Sequence, residues 1–168
     1  MVMEVSQKLK LGKEVAQYVK KHFTDEILKT ENFKKGNYKQ GLIDNFLKMD
    51  EIMVTTEGKL ELKNEAKKSK EEDEKLNKNG DKKQEAIRQL FDPKAQEDCD
   101  IAMFTGCTAC VCLIDGGKVY CANSGDSRAV LCKKGVAIPL SIDHKPELDS
   151  EKNRIYKADG WVTDGRIK

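Results

Sequence analysis

Five groupings of side chains in this 168-residue chain are of types that do chemistry. Asp143 stands beside His144 and Lys145, but a lone Asp-His neighbour pair is a weak basis for acid–base work. Asp126 and Arg128, in Gly125-Asp-Ser-Arg, read as a turn-forming or structural pair. Asp98 and Asp100 flank Cys99, and carboxylates two apart could chelate a cation, although a solvated loop is the plainer reading. The six cysteines are Cys99, Cys107, Cys110, Cys112, Cys121 and Cys132. A structural zinc site draws paired ligands from loops or knuckles. Cys107, Cys110 and Cys112 instead fall within one expected strand, so they read as small core hydrophobes held reduced, in cytosol or nucleus. His22 has no carboxylate or second histidine near it in sequence, and reads as a surface or satisfied core histidine.

The elements that must position these groups centre on 106–146. Gly106–Ile114 is small, β-branched and apolar on both alternating faces, which predicts a strand covered on both sides. Asp115-Gly116-Gly117 predicts a tight hairpin into Lys118–Ser124. After Gly125-Asp126-Ser127, Arg128–Lys133 and Val136–Leu140 join through Lys134-Gly135. These four strands are expected as one antiparallel meander. Upstream, Leu11, Val15, Val19, Phe23 and Ile27 recur every four residues and predict a helix over 12–29. Leu42, Phe46, Met49 and Met53, with Ile43 and Leu47 beside them, predict another over 38–54. The pair occupies 12–54.

Residues 57–85 change character. Eighteen of these 29 residues are charged, nine of each sign, and only Leu60, Leu62 and Leu76 are large aliphatics. Such composition buries too little apolar surface to offset ordering entropy. A charged, mobile insertion is expected over 57–83, with docking of a protein partner through 57–85 as the functional alternative. Ala86, Ile87, Leu90 and Phe91 predict a short helix over 84–91, stopped at Asp92-Pro93. A helix is expected from Pro146 to about Asp159, capped by Asp149 or Ser150 and ended by Gly160, then a hairpin at Asp164-Gly165.

Whole-chain properties narrow the function classes. Thirty-one basic against 29 acidic residues leave a net charge of +2, which gives no argument for nucleic acid or an anionic membrane. No apolar run approaches the roughly 20 residues that span a bilayer. Met1-Val2 lacks the glycine that myristoylation needs.

Thr105-Gly-Cys-Thr-Ala, Ala122-Asn-Ser-Gly-Asp-Ser-Arg-Ala-Val-Leu131 and Asp143-His-Lys-Pro-Glu147 occur in this order. With Gly12-Lys-Glu-Val-Ala, Phe46-Leu-Lys-Met-Asp-Glu51 and Gly160-Trp-Val-Thr-Asp-Gly-Arg-Ile167, they resemble the type 2C metal-dependent Ser/Thr protein phosphatases. The resemblance implies an α/β (α+β) fold, a four-layer sandwich of antiparallel sheets flanked by helices, of which residues 1–168 supply part. It implies hydrolysis of phosphoserine and phosphothreonine in protein substrates, with Mg²⁺ or Mn²⁺ activating a water. By position, Asp143 matches an aspartate that binds an additional, weaker metal in the family; a loop Asp bonding nearby amides is the alternative. No other residue matches a metal ligand, and none is assigned a catalytic role.

The family's Gly12-Lys-Glu-Val-Ala run follows Asp-Gly-His-Gly, whose aspartate and neighbouring carbonyl hold the two metals. Here Lys8, Leu9, Lys10 and Leu11 stand in those places, and an ammonium cannot replace a carboxylate ligand. Two further aspartates that complete the site follow the family's counterpart of Lys168. The expectation is a chain inactive alone: a fragment of an enzyme, or a non-catalytic phosphatase-like scaffold or partner-binding module. An ending inside a predicted hairpin favours the fragment.

Overall fold

The computed structural model describes residues 2–4, 13–76 and 101–167. It divides into two compact units, one from Lys8–Gly106 and one from Met1–Gln7 with Cys107–Lys168. Helices fill the first, and antiparallel strand pairs dominate the second, a mixed α/β architecture.

In the helical unit, α1 (Lys13–Ile27) turns its four-residue stripe inward, burying Val15, Val19, Phe23 and Ile27 with Ala16 and Tyr18. A short α2 (Glu31–Lys34) leads to α3 (Tyr38–Met53), which buries Leu42, Met49 and Met53. The rings of Phe23 and Phe46 meet edge to face, centroids 5.5 Å apart. Asn45 is fully buried, and its Nδ2 donates to the Phe23 carbonyl at 3.0 Å. Ile43 and Leu47, expected beside the apolar face, are exposed instead, because that face is narrower than the residue types suggest.

The charged stretch departs most from expectation. Residues Thr56–Leu76 form a 21-residue helix, α4, that packs on α1 and α3. Within the stretch expected as a charged, mobile insertion, 57–83, the chain is helical through Leu76; residues 77–83, like the helix expected over 84–91, lie outside the described residues. Thr55 starts the helix, its hydroxyl accepting from the Gly58 N–H at 3.1 Å. Gly58, Leu62 and Ser69 are buried, with Glu65 and Ala66 half-buried between them, so helical period is present. Only one member of that stripe is a large apolar residue. Glu61 adds polar attachment, bonded to Lys21 and, at 2.9 Å, to His22 Nε2 on α1. Burial pushes the Glu61 carboxyl up, yet the bonds from Lys21 and His22 outweigh it and hold it below its ordinary value. The unit closes with α5 (Ile101–Phe104).

In the strand unit, β1 (Val2–Glu4), β2 (Ala109–Asp115) and β3 (Lys118–Ser124) form one antiparallel sheet in that order. Val2 faces Cys112 across the first pair, and Cys112 faces Cys121 across the second. The pairing of β1 is invisible in a three-residue segment. Val111 is fully buried and Ala109, Cys110 and Leu113 nearly so, drawn from both faces of β2. Among the described residues, β4 (Val130–Lys133) and β5 (Val136–Pro139) pair only with each other. The expected single meander is thus two sheets, divided at Gly125–Ala129. In the second hairpin Val130, Leu131, Val136 and Ile138 are exposed within the described chain.

Two-residue turns explain the hairpins. Gly116-Gly117, Lys134-Gly135 and Asp164-Gly165 all take positive φ at both positions, the mirror-image turn that matches strand twist. The last joins β6 (Val162–Thr163) to β7 (Arg166–Ile167). Between the hairpins, α6 (Asp149–Lys157) is shorter than the expected helix and has Leu148 at its N-cap. Its end is closed by Asp159 in the left-handed region, φ 58°, with Gly160 N–H donating to the Ile155 carbonyl. Asp159, and not Gly160, makes the turn.

Candidate functional site

Asp143 sits in the segment after β5, and this segment is stitched to the loop after β3. The Asn123 Nδ2 donates to the carbonyls of Gly125 (3.0 Å) and Ile142 (2.9 Å). His144 N–H donates to the Gly125 carbonyl at 2.9 Å, and Ala129 N–H donates to Ser141 Oγ at 2.9 Å. Thr108 and Ser127 share a hydroxyl hydrogen bond of 2.8 Å that ties the same loop to the start of β2. Gly125 is required at its position. Its φ is +102°, and a Cβ there would lie 2.4 Å from Thr108 Cγ2.

This stitching delivers Asp143 to Arg128. Arg128 Nε donates to Oδ1 and Nη2 to Oδ2, each at 2.9 Å, a bidentate fork. Lys145 Nζ lies 3.8 Å from Oδ2. The hydrogen bond to Asp143, and then its charge, raise the Arg128 pKa. The sequence reading joined Arg128 to Asp126. The structure directs its fork to Asp143, fifteen residues away, a partner that only the folded loop supplies.

A hard dication needs several oxygen ligands. Both Asp143 oxygens are already held by a guanidinium, with an ammonium close by. Among the described residues no three His, Cys, Asp or Glu side chains are grouped so that they could hold a metal ion. The described residues therefore do not fit the Mg²⁺ or Mn²⁺ centre that the resemblance implies. What the arrangement does is lock two loops together through an ion pair. Lys8–Leu11, Asp98, Cys99 and Asp100 lie outside the described residues.

His144 is exposed beside an open groove that Cys121, Asn123, Ser141 and Ile142 also line. His22 is a satisfied histidine, bonded to Glu61 and against the Tyr18 ring at 4.4 Å, although its carboxylate partner comes from 39 residues on. Cys110 is buried, Cys107, Cys112 and Cys121 are half-buried, and Cys132 is exposed, so Cys132 is no core hydrophobe. The sequence places Cys110 and Cys112 on one face of their strand, but the reading missed that Cys121 joins them. The signal was there: alternate cysteines on one strand and a third on its hairpin partner.

The sequence model of the family described as protein phosphatase 2C matches residues 55–168, which include the helix α4 and every residue of the Asp143 cluster. Protein phosphatase 2C 1 of Paramecium tetraurelia is 41% identical over 156 residues, 93% of this chain and 42% of that protein. Protein phosphatase 2C homolog 2 of Hypocrea jecorina is 39% identical over 156 residues, 93% of this chain and 26% of that protein. Protein phosphatase ppm-1.G of Caenorhabditis elegans is 59% identical over 63 residues, 38% of this chain and 13% of that protein. The chain spans less than half the length of these relatives. With a family match over more than half of its residues, the chain belongs to the protein phosphatase 2C family.

Proposed function

We propose that this chain is part of a metal-dependent phosphatase that removes phosphate from phosphoserine and phosphothreonine in protein substrates, with Mg²⁺ or Mn²⁺ as cofactor. The observation that carries the reading is identity of about 40% along 93% of the chain to proteins named as 2C phosphatases. The 168 residues alone are inactive in this proposal. Its support is the occupied state of Asp143 and the absence, among the described residues, of a three-ligand cluster. Asp143 is an ion-pair partner here and becomes a metal ligand only where further carboxylates join it. No catalytic step is assigned to the residues present.

Two lesser parts of the proposal stand on composition. Balanced charge supports a protein, not a nucleic acid or a membrane, as the partner; no helix among the described residues is long and apolar enough to cross a membrane. Strand-borne cysteines support a cytoplasmic or nuclear location.

The test is phosphate release from a phosphothreonine peptide with Mn²⁺. The chain alone should give none. A chimera carrying the flanking segments of the Paramecium relative should turn over. A folded chimera without activity refutes the phosphatase reading, and turnover by the chain alone refutes its inactivity.

A further inference from the structure

On the sheet face opposite Ala109, Val111 and Leu113 lie Cys110 and Cys112 of β2, and Cys121 of β3 joins them. Cys110 Sγ and Cys121 Sγ are 3.9 Å apart, and Cys112 stands directly opposite Cys121 in the ladder. Two thiols beside Cys121 offer sulfur chemistry that alanine or valine filling the same space would not. The cluster is also reachable. Cys121 lines the open groove beside Asn123, Ser141 and His144.

We propose that this face is an oxidative modification site, at which a two-electron oxidant such as hydrogen peroxide closes a Cys112–Cys121 disulfide. Register chooses the pair. Cys112 and Cys121 stand directly opposite in the antiparallel ladder. Opposed residues have Cα atoms about 4.5–5.5 Å apart, inside the disulfide window of about 4.4–6.8 Å. Cys110 is opposite Asn123, so it is a diagonal neighbour of Cys121, at a Cα separation of about 7–8 Å, despite the close sulfurs.

The step balances. The Cys112 sulfur attacks one peroxide oxygen, the O–O bond breaks, and a sulfenic acid and one water form. The Cys121 sulfur then displaces the sulfenic oxygen as a second water. Two thiol protons leave in the waters, two sulfurs are oxidised by one electron each, and peroxide is reduced by two. Burial first, then Cys112 and Cys110, push the Cys121 thiol up to about 12. Cys121 is therefore the slow, resolving partner, and the Cys112 sulfur is the one that reacts with peroxide first. Cys110 remains a free thiol next to the new bond, placed to reopen it by exchange.

The test is peptide mass mapping of the folded 168-residue chain after graded hydrogen peroxide, with free thiols alkylated before digestion. The expected product is a Cys112–Cys121 linked peptide, two mass units below the sum of its parts, reversed by dithiothreitol. Exposed Cys132 is the internal reference for unassisted thiol oxidation. Cys112→Ala should abolish the link while Cys110→Ala retains it. If Cys121 remains unlinked at peroxide levels that fully oxidise Cys132, or links to any cysteine except Cys112, the proposal is overturned. Mapping the unaltered chain decides the matter even if a variant fails to fold.

Discussion

Leu62→Ala separates a docked helix from a charged linker. Leu62 is a fully buried large aliphatic residue of α4; Leu60, two residues earlier, is 61% exposed. Truncating a fully buried leucine loses transfer free energy and leaves a cavity, together about 2–5 kcal/mol. A central value of about 3 kcal/mol, against a urea slope of about 2 kcal/mol per molar, lowers the midpoint by about 1.5 M. Leu60→Ala should stay within about 0.5 kcal/mol, as for exposed sites generally. The assay is urea unfolding followed by far-UV circular dichroism, which weights the helical unit. Equal midpoints for the two variants would refute the docking of α4.

Glu61 should make the same contact acid-sensitive: its carboxyl is depressed in the fold, so its contribution is fully present above its unfolded value and lost as pH falls through the folded one. Thermal melts from neutral to acid pH should show Glu61→Gln flattening that acid loss, and an unchanged acid limb would contradict it. Gly125→Ala should cost about 1–3 kcal/mol in denaturant unfolding, from strained φ plus the clash with Thr108. Gly135→Ala, at φ +78° with open space around it, should cost clearly less, and equal losses would remove the clash from the explanation.

Where apolar residues repeat, the sequence was readable. Val15, Val19, Phe23 and Ile27 marked α1, and Leu42, Met49 and Met53 marked α3, because each face is written in large aliphatic or aromatic residues. The paired positive-φ turns marked every hairpin. The buried stripe of α4 is Gly58, Leu62 and Ser69 with half-buried Glu65 and Ala66, and small or polar residues carry no hydrophobic period. What holds it includes ion pairs to Lys21 and His22, about 40 positions away. The same limit governs the site. Motif resemblance singled out Asp143, but neighbouring sequence suggested Asp126 for Arg128, and only the loop stitched by Asn123 and Gly125 brings Arg128 to Asp143. The thiol face was likewise split between strands, with Cys112 and Cys121 made neighbours by register alone.

The state of Asp143 is most directly tested by titrating the 168-residue chain with Mn²⁺ in a calorimeter. With both carboxylate oxygens bonded to Arg128 and Lys145 close by, a cation would find at most a mostly hydrated, weak site. No saturable binding at micromolar Mn²⁺ is expected. A stoichiometric micromolar site that Asp143→Ala abolishes would contradict it.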